Sequence, residues 1–356
     1  MEAIDRRSRM ELQVLVAGMH LLRKFGHTID DILRDGWRID ARVRMQRGDD
    51  SPLDQAEGLA RGVAGIARFL HQASSDIVVV LGDRIEALAG ALAGATTGRV
   101  VAHLHGGDIA PGDFDERLRH AITKLAHVHL AATHTAARRI IRMGEPGWRV
   151  HVVGAPGLDR LMYWIGRSPR SKRRSGRALI VFHPCGRTPA HERRVMHAAL
   201  ESVRRAGLAR TIVYPNSDRG HTGVIEAIET HAARCREPGD VRVVRSMDRD
   251  AYLQALIEAE VLVGNSSSGI IEAATAGTPA VNIGPRQSGR ERAAKSVVEA
   301  DESTASIRTA LDRALRKRPI MGGSTIYGDG RAGQRVANVL SGVPLDADFR
   351  QKAWGA

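Results

Sequence analysis

Short apolar runs rich in β-branched residues alternate along the chain with longer Ala- and Leu-rich stretches whose apolar positions recur at helical spacing. In the first half, runs of the former kind lie at 12–18 (LQVLVAG), 76–82 (DIVVVLG), 100–104 (VVAHL), 128–133 (VHLAAT) and 149–154 (RVHVVG). Helical stretches fall between them near 54–73, 84–97, 115–125 and 134–143. The second half repeats the scheme, with strands at 178–184 (ALIVFHP), 210–215 (RTIVYP), 241–245 (VRVVR), 260–264 (EVLVG) and 279–284 (PAVNIG). Its helices are predicted near 189–206, 221–234, 249–258, 268–276 and 304–316. Near-continuous apolar strands separated by helices are the pattern of parallel sheets buried on both faces. The predicted fold is α/β, two Rossmann-like domains facing across a cleft. Residues 1–167 form the first domain, 168–177 (SPRSKRRSGR) a basic linker and 178–330 the second domain, with 331–356 a helix and tail returning to the first.

Composition narrows the function classes. A chain of 356 residues exceeds what one hydrophobic core usually serves, and with aromatics at 4% the cores must be built from Val, Ile, Leu and Ala. No apolar run approaches the roughly 18 residues that span a bilayer, and MEAIDRRSRM lacks a signal-peptide core, so a cytoplasmic protein without a membrane partner is expected. Cys185 and Cys235 show neither a disulfide framework nor metal-ligand spacing, and no metal is expected. The net charge of +13 raises the question of nucleic acid. Only six of the 53 basic residues are Lys, however, and the Arg residues are scattered; the one dense run reads as a solvated linker, so nucleic acid is not an expected partner. Neither GxGxxG nor GxxxxGK[ST] follows any strand, which disfavours nicotinamide and ATP; no cofactor is expected.

In doubly wound sheets ligands bind beyond the carboxyl ends of the strands, so the residues just after each strand matter most. Gly264 is followed by Asn265-Ser266-Ser267-Ser268-Gly269 and then Glu272. Free N–H groups and hydroxyls at a helix start suit a phosphate, although Ser is also the ordinary helix cap. Glu272, one turn on, is placed to accept from ribose hydroxyls or to complement the helix dipole. Asp83 follows a strand and precedes Arg84; Asp108 follows His105-Gly106-Gly107; Asp115 opens the stretch DERLRHAITKLAH, where capping is the alternative role. Several carboxylates on separate loops at one cleft are what proton abstraction from carbon and leaving-group protonation require. His183 and the Pro215-Asn216-Ser217-Asp218 group complete the polar ring.

Taken together, GDRIEALA (82–89), HGGD (105–108), DERLRHAITKLAH (115–127), VGAPGLD (153–159), HP (183–184), GNSSSGIIEA (264–273), RQSGRERA (286–293) and IYGDG (326–330) resemble the hydrolysing UDP-N-acetylglucosamine 2-epimerases of sialic-acid synthesis. Close relatives of that family act on UDP-2,4-diacetamido-trideoxyglucose in legionaminic-acid synthesis. The resemblance implies a glycosyltransferase-B-like fold with the nucleotide sugar in the interdomain cleft. It implies elimination of UDP across C1 and C2 to a 2-acetamidoglucal, then addition of water to give N-acetylmannosamine, with no nicotinamide or metal. Asp83, Asp108, Asp115 and His183 are the implied catalytic set, and Arg84, Asn216, Asn265, Ser266, Ser267, Ser268, Gly269, Glu272 and Arg286 the substrate and UDP set. A homodimer or homotetramer is implied as well.

Two departures stand out. The family usually carries Glu where this chain has Asp108, and its opening strand with a TGTRADYG-like loop has no counterpart after Met1, so the first sheet is expected to lack an interior strand. An inactive nucleotide-sugar-binding remnant and a glycosyltransferase on the same fold are the rival readings.

Overall fold

The computed structural model describes residues 1–49, 51–110, 115–167, 175–235, 239–292, 296–317 and 326–352; most of the expected linker, 168–174, and the last four residues lie outside them. The first half contributes strands β1 (Leu15–Ala17), β2 (Ala41–Val43), β3 (Ile77–Leu81), β4 (Val100–Leu104), β5 (Val128–Ala131) and β6 (Val150–Val152). The second contributes β7 (Arg177–Val181), β8 (Ala209–Val213), β9 (Val241–Val244), β10 (Val261–Gly264), β11 (Ala280–Ile283) and β12 (Val297–Ala300). Every pairing among the described residues is parallel, the α/β arrangement of two Rossmann-like units.

The second sheet runs β12-β11-β10-β7-β8-β9. Its strand order reverses between β7 and β10, and the crevice beyond that switch point is where such sheets hold ligands. Helices are fixed locally by capping: Thr188 Oγ1 accepts from His191 N ahead of the helix Pro189–Arg205, which also begins with Pro at its first turn.

In the first unit β3-β4-β5-β6 form one sheet, and β1-β2 pair separately as a two-stranded ladder. The predicted run at 12–18 is thus shorter than expected, and among the described residues no strand pairing joins β1 to β3. One helical layer spans the break. Ala17, Val43 and Met45 pack with Ile66 and Leu70 of the helix Pro52–Ala73 and with Ile85, Ala89 and Ala93 of the helix Ile85–Thr96, while Val78 of β3 joins the same cluster. The open edge shows in the burial. All five residues of β4 are buried, whereas Val79 and Leu81 of β3 are 39% and 57% exposed.

The C-terminal segment lies on the first unit. The helix Ala332–Ser341 begins on Asp159, whose carboxylate accepts from Ala332 N at 2.8 Å and Gly333 N at 2.6 Å. Val336, Leu340 and Phe349 fill a core with Val100, Ala102, Leu104, Val128 and Leu130. Beyond them Lys352 Nζ donates to the carbonyls of Thr123, Lys124 and Ala126 and to Glu145 Oε2, at 2.7–3.2 Å. A cation there meets the unpaired carbonyl end of the helix Asp115–Leu125, where the helix dipole favours it. No helix among the described residues is long and apolar enough to cross a membrane.

An unpaired, apolar strand edge templates pairing between copies. Any self-association that light scattering detects through this edge should be reduced by Leu81→Lys; a concentration dependence that the substitution leaves unchanged would show that the β3 edge is not the surface involved.

Candidate active site

On the second unit the site is built at the β7/β10 switch point. Gly264 is required by close approach, since a Cβ there would stand 1.9 Å from Val181 O. Next to it, buried Asn265 clamps the end of β7: its Oδ1 accepts from His183 N and its Nδ2 donates to His183 O, both at 2.7 Å. The His183 ring is set by its neighbours. Asn216 N donates to Nδ1 at 3.2 Å, which leaves the ring proton on Nε2. Burial, together with the charge of Arg286, drives its pKa down to about 3, so it is a neutral donor at physiological pH.

The serine turn departs from the predicted helix over 268–276. A 3-10 turn covers Ser267–Gly269, and a separate short helix begins only at Glu272. The break falls at Ile270 and Ile271, whose side chains are drawn into a core with Leu158, Leu161 and Leu253. The serines therefore do not stand at the N-terminus of a long helix. Ser266 Oγ accepts from Ser268 N, and Ser268 Oγ from Tyr252 Oη at 2.6 Å, while Gly269 is buried and Ser267 half-buried. Glu272 pairs with Arg249, which also donates to Gly157 O of the first unit.

On the first unit the three expected acids follow β3, follow β4 and open the helix Asp115–Leu125. Arg119, on that helix and with no exposed surface, donates Nη2 to Asp83 and Nη1 to His105 O at 3.2 Å. Local contacts fix the residues next to Asp83 and Asp108. His103 Nε2 meets Gly82 O at 2.8 Å, with burial pulling its pKa down to about 4, so the ring is neutral. Gly107 has φ +73°, and a Cβ there would lie 2.3 Å from Ala136 O. Asp108 is held between His105 Nδ1 at 3.1 Å and Arg290 Nη1 at 2.7 Å. Burial alone would raise the Asp108 carboxyl, but the His105 hydrogen bond and the Arg290 charge outweigh it and keep the group below the ordinary aspartate range.

The two walls meet through matched charges. Arg84 donates Nη1 to Asp218 Oδ1 at 2.5 Å and Nη2 to Ser217 Oγ at 3.0 Å. Arg286 Nη2 stands 3.6 Å from Asp218 Oδ2 and 3.8 Å from Asp115 Oδ2. With Arg290 on Asp108, acids of the first unit face arginines of the second, and Arg84 reverses the polarity. Gly289 comes so close to Ile109 that an added Cβ would lie 1.9 Å from its Cγ2. The structure thus gathers Asp83, Arg84, Asp108, Asp115, His183, Asn216, Asn265 and Arg286 around one seam, and Glu272 meets the first unit through Arg249, which bonds Gly157 O. Arg119, His105, Asp218 and Arg290 belong to the same network, and the sequence reading gave none of them a site role. All four stood within stretches that were noticed, but the Arg84 that bonds Asp218 and the Asp108 that bonds Arg290 lie more than a hundred residues away from them. Among the described residues no His, Cys, Asp and Glu group could hold a metal ion. The arrangement can hold carboxylates ionised beside carbon-bound protons and can offer guanidinium and imidazole N–H groups to an anion.

Residues 2–341 match the family model described as UDP-N-acetylglucosamine 2-epimerase. The chain is 34% identical over 358 residues to the UDP-N,N'-diacetylbacillosamine 2-epimerase (hydrolyzing) of Legionella pneumophila, covering 96% of this chain and 91% of that one. It is 30% identical over 318 residues to the UDP-N-acetylglucosamine 2-epimerase of Neisseria meningitidis serogroup B, covering 87% and 81%. Among solved structures, the S. aureus MnaA-UDP co-structure superposes with a TM-score of 0.77 at 17% identity, covering 96% of this chain and 91% of that one, which shows a shared fold.

The Asn265 clamp can be tested without substrate. Asn265→Ala strands a buried main-chain N–H and C=O of His183 and should cost about 2 kcal/mol or more of stability by urea unfolding; a loss below about 0.5 kcal/mol would mean the clamp is replaceable.

Proposed function

The chain belongs to the UDP-N-acetylglucosamine 2-epimerase family, and from that premise we propose that it is a hydrolysing 2-epimerase of a UDP-2-acetamido sugar. The observation that carries the reading is the pair Asp108 and Asp115 facing Arg290 and Arg286 across one cleft, with Asp83 held on the same wall by Arg119 and the neutral His183 on the other. The sugar would lie against the aspartates, with the diphosphate toward His183, Arg286 and the 265–269 turn.

In this mechanism a carboxylate removes the proton on C2 while the C1–O bond breaks, its electrons leaving with UDP and a C1=C2 double bond forming. Water then adds: hydroxide to C1 and a proton to C2 from the opposite face, releasing the free 2-epimeric sugar. Asp108, held ionised by His105 and Arg290, accepts rather than donates a proton at neutral pH. Charge gathers on the departing diphosphate, and preorganised donors are most effective where charge develops. Arg84, Arg286 and the His183 Nε2–H supply them.

UDP-N-acetylglucosamine is the first substrate reading. The higher identity to the Legionella protein favours the 2,4-diacetamido-trideoxy sugar as a second. Supplying each UDP sugar and following both UDP and free sugar decides between them; binding of both without release of UDP would sink the catalytic reading and leave a nucleotide-sugar-binding protein.

Asp83→Asn should lower turnover by roughly 10²-fold or more while UDP affinity stays within a few-fold; a fully active variant removes Asp83 from the chemistry. Arg290→Gln removes a charge that depresses the Asp108 carboxyl, so its pKa rises toward the ordinary value of about 3.9. Activity needing ionised Asp108 is then lost at higher pH, and the acid limb of the kcat/KM profile should move upward; a stationary limb would show that Asp108 ionisation does not govern it.

A further inference from the structure

We propose that Asp218 is an internal stand-in for the substrate's diphosphate: it neutralises Arg84 and Arg286 across the cleft in the free protein and yields both when a UDP sugar binds. The inference rests on the reading of the cleft as a UDP-sugar site and assigns a positioning role to a residue that reading does not use.

The argument begins with the arginines. A guanidinium taken out of water needs an anion, and the Arg84 and Arg286 side chains are 26% and 14% exposed. Asp218 serves both. Its Oδ1 takes Arg84 Nη1 at 2.5 Å and its Oδ2 faces Arg286 Nη2 at 3.6 Å, so one carboxylate lies between a cation of the first unit and one of the second. The service to Arg286 is incomplete. Its ion-pair distances to Asp218 and Asp115 exceed hydrogen-bond length, and its Nε is buried with no hydrogen-bond partner among the described residues. Arg84 Nε likewise lacks a hydrogen-bond partner and stands 3.4 Å from Glu86 Oε2. Two guanidiniums with donors left over suit a ligand with more oxygens than a carboxylate, and a diphosphate has them.

The surroundings fit an exchange. Asp218 follows β8, beside the β7/β10 crevice, and Asn216 of the same loop touches the His183 ring through its main-chain N–H. Asn216 Nδ2 also donates to Asp218 Oδ2 at 2.6 Å, so the carboxylate keeps a donor after the arginines depart. Burial opposes the charge on Asp218, and Arg84 and Arg286 hold its pKa below the ordinary range. An internal competitor of this kind weakens apparent ligand affinity by the fraction of protein in which it occupies the seat. It also helps the product leave, because Asp218 recaptures the arginines as UDP departs.

The test is UDP binding by calorimetry to the full chain as wild type, Asp218→Asn and Asp218→Ser, with thermal unfolding recorded for each. The stand-in predicts roughly tenfold tighter UDP binding in both variants. In steady state it predicts a fall in KM together with a fall in kcat, since UDP leaves more slowly. A carboxylate that only struts the loop predicts the reverse, weaker UDP and a raised KM; that result, or unchanged affinity in folded variants, overturns the proposal. If neither variant folds, a structure of the wild-type protein with UDP decides: arginines on phosphate oxygens and off Asp218 support it, and Arg84 still bonded to Asp218 overturns it. Wild-type protein that binds no UDP removes the cleft reading itself, and the stand-in with it.

Discussion

A guanidinium with no exposed surface must be answered by anions or carbonyls, and Arg119 is answered by both Asp83 and the carbonyl of His105. That requirement ties three parts of the first unit together. The loop after β3, the loop after β4 and the helix Asp115–Leu125 cannot move independently without leaving a buried charge unpaired. The far end of the same helix is held by Lys352, some 230 residues away along the chain, through three carbonyls and Glu145. A helix fixed at both ends presents Asp115 to the seam at a set height, and the geometry of the cleft follows from that placement.

The seam itself is a charge-matched surface. Arg84, Arg286 and Arg290 each face an aspartate from the opposite wall, so the free cleft carries little uncompensated charge despite the strong net positive charge of the chain. Outside it further arginines are paired with acids, as in Arg160 on Asp250, Arg335 on Asp329 and Arg204 on Glu201.

The sheets were legible because their strands are buried runs of Val, Ile and Leu. β2 and β12 were not, being three or four residues long with a charged residue in each, Arg42 and Glu299. The acids could be found because they follow strands, a purely local rule. Their partners could not: the pairings of Asp83 with Arg119, Asp108 with Arg290 and Arg84 with Asp218 depend on how loops far apart in sequence converge. The serine turn misled for a different reason. Three hydroxyls ahead of an Ala-rich stretch read as a helix start, but the pull of Ile270 and Ile271 into the core interrupts the helix, and two of the hydroxyl groups are engaged within the protein.

The break between β1 and β3 makes the first unit mechanically uneven. Three residue pairs join β1 to β2, and helix packing rather than a continuous ladder fastens them to the rest. Such a piece belongs to the least protected end of the local-opening spectrum, so its amides should exchange with solvent well before those of β4 or β5. Its carboxyl end also carries Met19 N and Gln46, both bonded to Glu86, and Glu86 stands beside Arg84. Fraying of two short strands would therefore alter the counter-charge of a cleft arginine, so the electrostatics of the cleft depend on a ladder three residue pairs long.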